Sequence, residues 1–109
     1  MLLLNIDHIP GKKVEALGLV KGTVVQSKNF GKDFMAGMKT LVGGEIESYT
    51  ELLNQARQIA TKRLVVEAVA LGADAILGIR FASSSLMQSA AELTAYGTAV
   101  RVLGGSDED

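Results

Sequence analysis

Glu92-Leu93-Thr94-Ala95-Tyr96-Gly97-Thr98-Ala99-Val100-Arg101-Val102-Leu103 alternates along its length, and that alternation decides the fold. Successive strand side chains point to opposite faces, so Leu93, Ala95, Gly97 and Ala99 share one side. Glu92, Thr94, Tyr96 and Thr98 share the other. A side this small lets a helix lie close to the sheet. That helix is written upstream, where Ser48-Tyr49-Thr50-Glu51 fits a capping box, hydroxyl and carboxylate each satisfying a backbone donor. Leu52, Leu53, Ala56, Ile59, Ala60, Leu64, Ala68 and Leu71 then form the main apolar stripe, and Gly72 ends it. Val65, Val66, Val69 and Ala70 fill most of the opposite side near the C-terminal end. A helix apolar nearly all round is buried on more than one side, and a domain this small has too little material to do that alone.

Working outward, Ala75–Ala82 reads as a strand with Leu77, Ile79 and Phe81 on one face. The polar stretch Ser83–Ser89 reads as a solvated connection whose Leu86 and Met87 offer a contact point for a partner or apolar ligand. Toward the N-terminus, Leu2–Ile6 is a short strand before the turn Asp7-His8-Ile9-Pro10-Gly11. Val14–Ser27 is a second strand, which Gly18 and Gly22 should bend or bulge. Asn29 is an N-cap for a first helix with Phe30, Phe34, Gly37, Met38 and Leu41 on one face, closed by Gly43 and Gly44. The order strand, strand, helix, helix, strand, strand predicts an α+β fold, a two-layer sandwich of an antiparallel sheet and two helices. Its sheet edges would be covered by pairing between subunits.

Composition narrows the function. The chain has 109 residues, one domain's worth, and a mean hydropathy of +0.26 that excludes disorder. Eleven basic residues face twelve acidic ones, and three of those acids are Asp107, Glu108 and Asp109. No concentrated basic stripe marks a nucleic-acid protein. There is no Cys, which removes disulfides, iron–sulfur clusters, thiolate zinc and a Cys nucleophile together. With no signal peptide and no apolar run of about twenty residues, the expected location is the cytoplasm, away from membranes.

Several blocks, in order, resemble the YbjQ-like family: Leu17-Gly18-Leu19-Val20-Lys21-Gly22, Val42-Gly43-Gly44-Glu45, Tyr49, Ala56-Arg57, Ala60, Ala70–Arg80 and Tyr96-Gly97-Thr98-Ala99-Val100. The resemblance covers residues 2–103, within a single domain assigned to 1–103 and followed by an acidic tail, 104–109. It implies a dodecin-like β-α-β-β subunit that forms a ring, a homopentamer. It also carries a heavy-metal-binding label but no established activity, and the residues fit that label poorly. Soft and borderline metals prefer thiolate, thioether or imidazole, whereas this chain has one His. Met35 and Met38 at i and i+3 suit core filling better than copper ligation.

Six residues are candidate ligand contacts where subunits meet: Gly43, Gly44, Glu45, Tyr49, Arg57 and Asp74. Gly43 and Gly44 could cradle an anion beside a helix start, although paired glycines also serve plain turns. Arg57 sits among apolar neighbours, where a charge needs a partner. Arg63 and Glu67, four apart, could pair along the helix. Asp74 follows the helix-ending glycine, where an Asx-type bond to nearby backbone is its ordinary role. His8, with Asp7 beside it, lacks the clustered ligands of a metal site.

No Ser-His-Asp set, His pair or nucleotide fingerprint appears, so enzymes are the weakest class; only a carboxylate hydrolase remains open. The leading reading is a small homo-oligomer binding a metal ion or small ligand at subunit interfaces, with the cofactor unspecified. The alternative is an oligomeric ring with a structural or interaction role and no small ligand.

Overall fold

The computed structural model describes residues 1–27, 45–87 and 90–105. Their elements are β1 (Leu2–Leu3), β2 (Lys12–Ser27), α1 (Glu45–Ala70), β3 (Ala75–Met87) and β4 (Ala90–Gly105). The four strands form one sheet in the order β1-β3-β4-β2, and α1 packs chiefly on β2 and β4. The helix expected over Phe30–Leu41 lies outside the described residues.

The alternation of β4 is realised as read. Ala95, Gly97 and Ala99 are buried beneath the helix, whose own buried stripe is Ala56, Ala60, Leu64 and Ala68. Contact is closest at Gly22 of β2: a Cβ there would overlap the Ala60 carbonyl oxygen and the Leu64 amide nitrogen. Val20, Val24 and Ile76 complete the core beneath α1. A smaller cluster of Ala75, Leu77 and Val100, with Leu4, Ile9 and Val14 against it, lies on the face away from the helix.

The sheet is mixed rather than antiparallel. β2–β4 and β3–β4 are antiparallel, but β1 runs parallel to β3 through Leu2↔Ala75 and Leu3↔Ile76. The cause is the path of the N-terminal segment. β1 and β2 sit on opposite edges and run the same way, so Leu4 and Ile9 cross the sheet as its cover at that end. β1 is also shorter than Leu2–Ile6, although Ile79 N and Gly78 N still donate to the carbonyls of Leu4 and Ile6.

A second correction concerns β3. Strict alternation would group Leu77 with Ile79 and Phe81, yet the register slips between Leu77 and Arg80. Gly78 lies at φ +65°, a conformation glycine takes without a Cβ clash, and the extra residue forms a bulge that inverts the side-chain sense. Ile76 and Ile79 therefore face the helix while Leu77 joins the opposite cluster. The expected irregularity in β2 falls between Ala16 and Gly18, with a further slip between Lys13 and Val14; Gly22 keeps register.

Two boundaries also move. Much of the Ser83–Ser89 connection is ladder, since Ser83 pairs with Leu93, Ser84 with Glu92 and Ser85 with Ala91; backbone pairing is indifferent to the hydroxyls above it. The helix already includes Glu45, so the capping-box sequence at Ser48 lies inside it. Glu45, Ile46 and Glu47 carry no breaker, and acidic residues in a first turn suit the helix dipole. At the other end Ala73 N donates to Ala68 O at 3.0 Å and Gly72 N to Val69 O at 2.9 Å. That is a Schellman cap, with Gly72 at φ +78°.

Candidate functional site

A buried stripe at i, i+4, i+8 and i+12 leaves the far side of a helix to solvent. On α1 that side carries Asn54, Arg57, Gln58, Thr61, Lys62, Val65 and Val66, which line a groove of about 790 Å³. Arg57 Nη1 donates to Asn54 Oδ1 at 3.2 Å, and Thr61 Oγ1 donates to the Arg57 carbonyl at 2.8 Å. Arg57 and Lys62 are exposed and Val65 half-buried. The groove thus combines an apolar end with two cations, a chemistry suited to an apolar group bearing a negative charge. Val66 and Val69 remain 68% and 61% exposed, and Ile59 and Leu71 of the expected stripe are also largely exposed.

Of the six candidate contacts, only Arg57 lines this groove. Asp74 lies past the C-terminal end of α1, roughly 20 Å along the axis from Arg57 at 1.5 Å per residue. Its Oδ2 accepts the Val102 amide at 2.8 Å while its own amide donates to Val100 O at 2.8 Å. The carboxylate therefore ties the turn to β4, with a partner 28 residues away rather than the adjacent backbone. Glu45 and Tyr49 lie on the first turns of α1, and only their backbone is described. Gly43 and Gly44 lie outside the described residues. The described members do not converge within one chain.

Arg63 and Glu67, expected to pair along the helix, both reach elsewhere. Glu67 Oε1 accepts the Lys21 amide at 3.0 Å, and Arg63 donates to the Thr23 carbonyl. Both bonds satisfy the outer side of β2, the edge strand. The helix thus protects within one chain part of an edge that a second copy was expected to cover. Of the groove residues the sequence reading did not single out, Asn54 and Thr61 carry a readable signal, standing three before and four after Arg57 on one helix side, and Gln58 and Lys62 stand four after Asn54 and Gln58 in turn.

The donor set fits a heavy metal poorly. Among the described residues no three His, Cys, Asp or Glu side chains cluster. His8 Nδ1 and Asp7 Oδ1 meet at 3.0 Å on an exposed turn. His8's hydrogen bond, followed by one to Asp7's own backbone, holds the Asp7 carboxyl below its usual range. Two hard or borderline donors make half a site at most. Met35 and Met38 lie outside the described residues. No described helix is long and apolar enough to cross a membrane.

Comparison with known proteins agrees with this architecture. A UPF0145 protein of Clostridium novyi (strain NT) is 58% identical over 103 residues, covering 94% of this chain and 100% of that one. A UPF0145 protein of Thermus thermophilus is 52% identical over 103 residues, covering 94% and 90%. A crystal structure of a DUF74-family protein of unknown function from Pediococcus pentosaceus superposes with a TM-score of 0.65. Its sequence identity is 17%, with 94% of this chain and 97% of that one covered; at that identity the likeness concerns the fold alone. The family model that matches residues 1–103 is YbjQ, described as "Putative heavy-metal-binding". With residues 1–103 matched by the family model and nearly its whole length shared with these relatives, this chain belongs to the YbjQ family.

Proposed function

We propose that the protein is a self-assembling binding module, a homopentameric ring whose subunits meet over the outward side of α1 and hold a small ligand there. The observation that carries this reading is the exposure of Val66 and Val69, at 68% and 61%, beside the groove. Covering each would contribute about 1 kcal/mol per subunit, since roughly a third of each is already shielded. Five copies repeat the term five times. The seat favours an organic anion with an apolar body, received by Arg57, Lys62, Val65 and Val66. A metal ion would need donors from several copies, because among the described residues of one chain no three His, Cys, Asp or Glu side chains cluster.

A native-state binder raises the melting temperature by mass action, so thermal melts with short-chain carboxylates and divalent metals test the ligand half of the proposal. A carboxylate-dependent rise that Arg57→Gln abolishes is the expected result. A melt unmoved by any of these compounds would leave a ring without a ligand as the better reading.

A further inference from the structure

The face of the sheet turned away from α1 carries a second, unrelated arrangement. Ala95 and Gly97 are buried toward the helix, so Tyr96 between them points to the other face, where it is 38% exposed. Its register partners on both sides are cations, Lys21 on β2 and Arg80 on β3. Directly paired residues share a face, so one aromatic ring stands between two positive charges in a row across three strands. Two strand spacings separate the cations, about 10 Å between Cα atoms; Arg80 lies toward Asn5, on the side of β3 away from Tyr96, and on leaving that exposed carbonyl its side chain is long enough to meet Lys21 on one anion above the ring.

Among the described residues neither side chain has a carboxylate partner, the nearby Glu67 carboxylate being taken by the Lys21 amide. The Lys21 side chain has no polar partner among the described residues, and Arg80 uses only Nη1, on the carbonyls of Asn5 and Ile79 at 3.3 and 3.5 Å. The strands place no carboxylate on this face nearer than Glu92, roughly 13 Å along β4 from Tyr96. Asp7, in the neighbouring turn, is engaged by His8. Beside the row, the Thr23 and Thr94 hydroxyls hydrogen-bond to each other at 2.9 Å, and Leu19 is 72% exposed. A flat aromatic surface with a cation on either side matches a planar ring carrying a phosphate. The ring stacks on the tyrosine and the phosphate takes charge-assisted bonds.

We infer that Lys21, Tyr96 and Arg80 form a seat for a phosphate ester of a planar aromatic base, of the mononucleotide class. This site lies on the opposite layer from the groove on α1 and stands or falls separately from it.

Titration of the intact protein with adenosine 5′-monophosphate, followed by calorimetry or by amide shifts of Tyr96 and Thr94, tests the assignment. Adenosine alone and inorganic phosphate alone should each bind at least about tenfold more weakly, because each lacks one half of the contact. Lys21→Gln, on an exposed side chain, should weaken binding about tenfold without moving the melting temperature, and Tyr96→Phe should keep affinity within about twofold. The assignment is overturned by phosphate binding as well as the monophosphate, or by Lys21→Gln leaving the affinity unchanged. It is equally overturned by no binding at millimolar ligand, as when a neighbouring copy covers this face.

Discussion

Gly22 shows how much one missing atom decides. The helix backbone passes where its Cβ would be, and backbone cannot swing aside as the end of a flexible side chain can. Gly22→Ala should therefore push α1 off β2 and cost at least about 2 kcal/mol, the range found for overpacked cores. For a chain of this size that lowers the melting temperature by roughly 10 °C; an unchanged melt would mean that helix and strand are not in this contact. Gly22 was legible in the sequence as an interruption of an apolar strand. Its partner was not, because close approach involves residues 38 and more positions away. Asp74 accepts a backbone amide as expected, but that of Val102, 28 residues on, a partner invisible to a local rule.

Between helix and strand, the two side chains that leave α1 for the backbone of β2 carry a distinct expectation. Glu67→Ala frees the Lys21 amide and Arg63→Ala frees the Thr23 carbonyl. Since both sites are solvent-accessible, each loss should cost only about 1 kcal/mol. The more specific readout is hydrogen exchange: Glu67→Ala should raise the exchange rate of the Lys21 amide several-fold, while amides under the helix keep theirs. Unaltered Lys21 exchange would show that Glu67 pairs elsewhere. Patterns that are local were legible, including the small-residue side of β4 and the Ala56, Ala60, Leu64 and Ala68 stripe of α1, although Ile59 and Leu71 of the expected stripe are exposed. Elements set by partners were not. The bulge at Gly78 inverted half of β3, and the parallel seat of β1 depends on where Leu4 and Ile9 cross the sheet. The candidate site depends on partners more than the fold does. Spacing along one chain shows which residues share a helix side, as for Arg57 and its groove neighbours, but not which elements meet.

At the scale of the whole molecule, the account rests on the outward side of α1. A single chain buries Ala56, Ala60, Leu64 and Ala68 and leaves Val66 and Val69 in water, where they line or adjoin a groove with Arg57 and Lys62. Closing copies around that surface removes apolar area from solvent and completes a repeated seat. The proposed assembly would also account for exposed valines on a domain with 48% hydrophobic residues and few aromatics. The mass of the intact native protein at micromolar concentration, measured beside a Val66→Lys, Val69→Lys double variant, tests this most directly. The account predicts a fivefold multiple of the 11.5 kDa chain for the native sequence and a folded species of lower order for the variant. A native protein that runs as a single chain, or a variant that assembles unchanged, would contradict it.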